Sequence, residues 1–153
     1  MQDEKLRVLV VEARFHGQIA DALLAGATDV LSAHDVEFDV VTVPGELEIP
    51  GAIAFADASG SGGGVAYDGY VALGCIIRGE TYHFEIMANE SARGLMDLTL
   101  SRRLCIGNGV LTVDEEDQAW ERARASQGDR GGAAARTCVE MISLRARLSG
   151  HDQ

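Results

Sequence analysis

The sequence predicts a three-layer α/β/α sandwich built on a four-stranded, mainly parallel sheet. Three observations carry this prediction. Short β-rich runs alternate with segments of helical character; most of those runs are nearly continuously apolar, as strands covered on both faces must be; and polar clusters follow the ends of three of them. No internal repeat or second domain interrupts the alternation. Residues 1–153 therefore read as one domain, long enough for a hydrophobic core of its own.

Residues 6–11 (LRVLVV) form the first expected strand and residues 37–43 (EFDVVTV) the second, with a helix between them over about 18–33. Residues 46–58 read as the second helix, entered through Pro44-Gly45. Pro50-Gly51 fits there only near the first turn, because proline lacks the N–H that an interior position needs. The SGSGGG run at 59–64 is a flexible connection, since it lacks the preceding strand and following helix that a dinucleotide-binding glycine motif requires. The third strand is 70–77, and a long helix follows over about 82–102. Its small residues Ala88, Ser91, Ala92 and Gly94 permit close packing against a neighbour. The fourth strand is 105–112, where Gly107 and Gly109 signal either a bulge or a close approach of something to the backbone. Helices over about 115–125 and 130–148 close the chain, separated by SQGD.

Twenty-four acidic against thirteen basic residues give a net charge of −11, so the average surface repels nucleic acid and anionic lipid. Neither is expected as a partner. No apolar run is long enough for a membrane helix, and the N-terminus passes from charge to strand without a signal-peptide pattern, so the expected location is the cytoplasm. Cys75, Cys105 and Cys138 are odd in number, widely spaced and set in apolar surroundings, which fits reduced structural thiols. No H-x-x-x-H or C-x-x-C pair offers a metal site.

In a parallel sheet, ligands collect beyond the carboxyl ends of the strands. Polar clusters stand there at Arg14-Phe15-His16, at Pro44 to Glu48 and at Arg78 to His83. Gly79, Glu80 and Thr81 lie where a strand turns into a helix, so backbone amides without intrahelical partners can receive an anion. Thr81 is also the expected cap of that helix. His83, on the first turn, is the candidate proton-transfer group beside that anion site. His16 follows a strand end and can line the same cleft, whereas His34 and His151 read as solvated. Phe15 is either core or a face offered to a planar ring. Arg122 and Arg124 lie on a late helix; a guanidinium delivered to the cleft would match an anion bidentately.

These residues resemble the lumazine synthase family. The resemblance runs in one register over about 6–148: ARF at 13–15, VPGELEIP at 43–50, LGCIIRGETYHFE at 73–85 with NESARGLMDL after it, GNGVLT at 107–112, and QAWERA at 118–123 leading to GDRGGAAA. The third block is the most specific. The resemblance implies a flavodoxin-like topology and the penultimate step of riboflavin biosynthesis. In that step 5-amino-6-ribitylaminouracil condenses with 3,4-dihydroxy-2-butanone 4-phosphate to give 6,7-dimethyl-8-ribityllumazine, phosphate and water, with no metal or organic cofactor.

It further implies a role for each matched position. Phe15 stacks on the pyrimidine and His16 contacts substrate. Leu47 and Glu48 match the start of the second helix, whose amides and glutamate contact the ribityl chain, with Gly45 and Glu46 in the same substrate-binding segment, while Cys75, Ile76 and Ile77 bind the ring through their backbone. Glu80 and Thr81 belong to the phosphate loop, His83 moves protons, and Arg122 binds phosphate. Arg130 stands where the family usually has a lysine near the ring. Asn108 stands where many members have a phenylalanine supplied by the adjacent subunit, and His16 replaces a frequent asparagine. The family builds its sites between subunits of a pentamer, so a homopentamer is the smallest assembly expected. ASQGDRG lacks the pattern associated with shells, which favours a free pentamer. The central expectation is that Arg122 and the tip of the long helix meet in one oxyanion pocket beside His83. The alternative is a flavin- or lumazine-binding paralogue with little or no activity; Asn108 and His16 favour it, and Arg78, Thr81, His83 and Arg122 argue against it.

Overall fold

A computed structural model describes residues 5–150, and His151 lies outside the described residues. The strands β1 (Arg7–Ala13), β2 (Glu37–Val43), β3 (Gly69–Ile77) and β4 (Ile106–Val113) form one sheet in the order β2-β1-β3-β4. Every pairing in it is parallel. The helices are α1 (Gly17–Ala33), α2 (Ile49–Ser61), α3 (His83–Arg102), α4 (Glu116–Ala123) and α5 (Arg130–Leu148). Helices α1, α4 and α5 cover one face of the sheet, and α2 and α3 the other. The predicted three-layer sandwich is the observed one.

The apolar strands explain the layering. Successive side chains point to opposite faces, so a strand apolar at every position feeds two cores at once. Val8, Val10, Val71 and Leu73 enter the core under α1 and α5, while Leu9, Val11, Tyr70 and Ala72 enter the core under α2. From the central pair β1 and β3, the chain winds outward to β2 in one direction and to β4 in the other. The loops leaving β1 and β3 therefore part, and a crevice opens between them.

Several boundaries differ from expectation for identifiable reasons. β1 runs two residues further, to Ala13, because β2 pairs with it to its end. The charged Glu12 is tolerated in that buried strand because Arg14 and Thr42 donate to its carboxylate at 2.7 and 2.8 Å. α2 is preceded by a 3₁₀ turn, Glu46–Glu48, and places Pro50 in its first turn, where a missing N–H costs no hydrogen bond. It then continues through Ser61, into the glycine-rich run. Only at Gly63, with φ +102°, does the chain reverse, and the Gly64 amide donates back to the Ser59 carbonyl at 2.7 Å. α4 is shorter than predicted and begins with a reciprocal capping box between Glu115 and Gln118.

The glycines of β4 mark a close approach. A Cβ on Gly107 would lie 1.8 Å from the Ala134 carbonyl oxygen of α5. Cys75, Cys105 and Cys138 are free and buried. Coverage is thinnest on α3 and on the β2 edge: only Ser91 and Leu95 of the twenty residues of α3 are buried, while Ile86, Met96 and Leu100 are exposed, and no residue of β2 is fully buried. No helix among the described residues is long and apolar enough to cross a membrane.

Candidate active site

A cleft of about 350 Å³ opens at the carboxyl ends of β1, β2 and β3. It brings together nine of the residues selected from the sequence: Phe15, His16, Gly45, Glu46, Cys75, Ile76, Ile77, Thr81 and His83. Pro44, Gly79, Phe84 and Met87 complete the lining. Phe84 and Met87 were not singled out in the sequence. Met87 lies four residues after His83, and the i, i+4 neighbourhood of a helix surface is the signal that would have found it. Phe84, directly after His83, has no such spacing signal and is placed by the Arg78 guanidinium over its ring.

Each wall has a mechanical support. After β1, Arg14 donates to Glu12 at 2.7 Å and to the Gly17 carbonyl at 3.1 Å, and it also pairs with Asp21 on α1. That clamp fixes the corner carrying Phe15 and His16. Phe15 is 82% exposed, and its ring meets His16 edge-on at 5.0 Å between centroids. Of its two readings the structure selects the exposed ring: an apolar face beside a cavity, suited to a flat partner.

At the floor, Glu46 is only 2% exposed and its Oε2 accepts from the Cys75 amide at 3.0 Å. Burial pushes its carboxyl above the usual glutamate range, against the lowering effect of hydrogen bonds from its own amide and that of Cys75. Burial also pushes the Cys75 thiol up to about 12, with the nearby Glu46 charge adding to the shift. Leu47 and Glu48 follow in the 3₁₀ turn and are exposed beside the cleft, without lining it.

The third wall is the turn from β3 into α3. The expected cap by Thr81 is not formed: Tyr82 occupies the N-cap position and no side chain caps the helix. Among the described residues, the amides of Gly79, Glu80 and Thr81 have no backbone acceptor in the chain, and Glu80 and Thr81 are exposed. Arg78 holds this turn in place. It donates to Asp114 at the end of β4 at 2.8 Å and to Glu85 on α3 at 2.7 Å, and its guanidinium lies 4.4 Å over the Phe84 ring. A turn so pinned keeps Gly79, Thr81 and His83 at one mouth of the cleft, where unpartnered amides beside an imidazole offer chemistry suited to an anion.

Three selected residues lie elsewhere in the chain. Arg122 donates to the Gln118 carbonyl of its own helix at 3.0 Å, Arg130 is exposed at the start of α5, and Asn108 is exposed on β4, where its side chain accepts from the Val110 amide at 2.9 Å. None of them lines the cleft of its own chain. The expected meeting of Arg122 with the tip of α3 does not occur within one chain.

Comparison with known proteins fits this geometry. The family model described as 6,7-dimethyl-8-ribityllumazine synthase matches residues 5–146. The chain is similar to the protein of that name from Bartonella henselae, 58% identical over 95% of this chain and 92% of the relative. It is also similar to 6,7-dimethyl-8-ribityllumazine synthase 1 of Rhizobium meliloti, 57% identical over 94% of both chains, and to the synthase of Agrobacterium fabrum, 55% identical over 95% of this chain and 99% of the relative. With a matching family model over residues 5–146, relatives more than half identical over nearly the whole chain, and three of the family's sequence blocks meeting in one cleft at the sheet's switch point, the chain belongs to the 6,7-dimethyl-8-ribityllumazine synthase family.

Proposed function

We propose that the cleft is this chain's share of an active site that joins 5-amino-6-ribitylaminouracil to 3,4-dihydroxy-2-butanone 4-phosphate. The protein is a transferase of riboflavin biosynthesis, and both of its substrates are small molecules. The observation that carries the residue assignment is the convergence, in one cavity, of an exposed aromatic ring, a strand edge, a turn of free amides and a histidine. Phe15 stacks on the pyrimidine, and the backbone of Cys75, Ile76 and Ile77 reads its edge. Gly45, Glu46, Leu47 and Glu48 border the ribityl chain, with His16 alongside. Glu80 and Thr81 hold the phosphate.

The chemistry follows from that placement. The ring 5-amino group attacks the ketone, and loss of water gives a Schiff base. Phosphate leaves by elimination, and attack of the ribityl-bearing nitrogen closes the second ring with loss of a second water. Most of the acceleration comes from holding two reactants in contact, with proton transfer by His83 as a smaller contribution. Neither residue set requires a metal or an organic cofactor.

The site is completed by an adjacent copy of the chain. Arg122, Arg130 and Asn108 have no place in their own cleft, and α3 leaves Ile86, Met96 and Leu100 uncovered. Both features support association with a second copy, and the family resemblance makes the assembly a homopentamer in which Arg122 of one copy reaches the phosphate turn of the next. The whole chain acts as one domain, in the cytoplasm, with a charge of −11 that keeps nucleic acid and anionic membranes away.

The test is direct. The two substrates are mixed with the protein and lumazine is followed by absorbance and fluorescence. His83→Ala is expected to slow turnover without abolishing it, by about 10²–10⁴-fold at most. Arg122→Ala is expected chiefly to raise KM for the phosphorylated substrate; an unchanged KM would remove its assigned role. Tight riboflavin binding with no rate above background would instead make the protein a flavin-binding paralogue.

A further inference from the structure

We propose that Glu46 is a positioning residue: its side chain replaces a missing strand partner at the tip of β3 and so fixes the backbone edge on which the planar substrate is recognised. This rests on the reading above. Along β3 the amides alternate in direction. Those of Tyr70 and Arg78 donate toward β4, to Cys105 at 2.8 Å and to Val113 at 2.9 Å. An even separation in a strand preserves direction, so the intervening odd-numbered residues Cys75 and Ile77 face the β1 side. There the partner runs out, because registered pairing with β1 stops at Glu12 opposite Leu73.

Beyond that point a buried amide would have no acceptor, at the full desolvation cost of an unpaired donor. Instead the Cys75 amide meets Oε2 of Glu46 at 3.0 Å. The chain makes room for this contact. A Cβ on Gly74 would stand 2.7 Å from Glu46 Cγ and 2.8 Å from Oε2, so the carboxylate lies directly against the strand. Glu46 comes from the 3₁₀ turn after β2, and one side chain thereby ties that turn to β3 across the end of β1.

What remains on this edge is the Cys75 carbonyl and the Ile77 amide. An acceptor followed by a donor matches the alternating N–H and C=O groups around a uracil ring, whereas it offers nothing particular to a phosphorylated ketone. An acceptor is all that the Cys75 amide needs from residue 46. Glutamine supplies one, and alanine does not.

The experiment uses the full-length, assembled enzyme and steady-state kinetics in both substrates. Glu46→Ala is expected to raise KM for the pyrimidine by about tenfold and to leave KM for the butanone phosphate within about twofold. Glu46→Gln recovers most of that loss. Gly74→Ala, which displaces the carboxylate, reproduces the alanine phenotype, and the double variant loses no more than either single one. Unaltered pyrimidine KM in Glu46→Ala would overturn the proposal, as would equal rises in both KM values. So would a kcat loss shared by Ala and Gln, which would mark a proton-transfer group. If Glu46→Ala does not assemble, Glu46→Gln and Gly74→Ala decide alone: a wild-type pyrimidine KM in Gly74→Ala contradicts the claim. If wild-type protein forms no lumazine, the functional reading fails separately. Calorimetric binding of the pyrimidine to the same variants then still decides the role of Glu46.

Discussion

Cys75 shows how little of a residue's chemistry follows from its address. It lines the cleft, yet burial pushes its thiol up to about 12, and Cys138 in the core is pushed equally far for the same reason. A raised thiol pKa leaves almost no thiolate at neutral pH, and the thiolate is the nucleophile. Native protein at pH 7.5 is therefore expected to resist iodoacetamide at all three cysteines and to take up three equivalents once unfolded; rapid labelling of the native state would contradict the burial assigned here. The apolar surroundings that made these thiols legible as structural are the ones that set their pKa. Thr81 was not legible in the same way. Its type suits a cap, but Arg78, fastened to Asp114 and Glu85, carries the turn one residue further and makes Tyr82 the N-cap. Glu46 was legible as a member of a substrate-binding segment and not as a strand surrogate, because that role depends on where β1 ends relative to β3.

Strands and helices were readable because each buries a face in its own period, and a parallel strand with two covered faces announces itself as an apolar run. What the pattern did not contain was contact between backbones. Gly107 on β4 and Gly131 on α5 both stand where a Cβ would collide, 1.8 Å from the Ala134 oxygen and 2.1 Å from the Leu23 oxygen. The sequence left Gly107 open between a bulge and a close approach; the choice depends on how α5 crosses the sheet, which is a tertiary fact. Gly107→Ala is expected to destabilise the protein by about 1–3 kcal/mol or more, because the obstacle is backbone and cannot rotate aside. Denaturant unfolding measures this, and an alanine variant of undiminished stability would mean that α5 lies further from β4. The glycine-rich end of α2 shows the converse: a composition that reads as linker is held helical to Ser61 before Gly63 turns the chain.

At the scale of the whole molecule, the sheet order places the crevice between β1 and β3, and three of the family's blocks, those at 13–15, 43–50 and 73–85, reach its rim because each runs out of a strand end there. Phe15, Glu46, Cys75, Thr81 and His83 could thus be singled out in the sequence, and the structure brings them into one cleft. Of the half expected from Arg122, Arg130 and Asn108, the residues alone offered Arg122 as a possible anion ligand, and the other two assignments came only through the resemblance, since no property of a single chain tells which copy a side chain will serve. The account's central claim is that these two halves meet across a subunit boundary. The measurement that tests it most directly is an experimental structure of the full-length assembly with inorganic phosphate, read for the surroundings of the anion. The account predicts phosphate held by the turn at Gly79 to Thr81 of one copy and by the Arg122 guanidinium of its neighbour, with His83 adjacent. Arg122 directed into solvent in every pair of neighbouring copies, away from any bound phosphate, would contradict it.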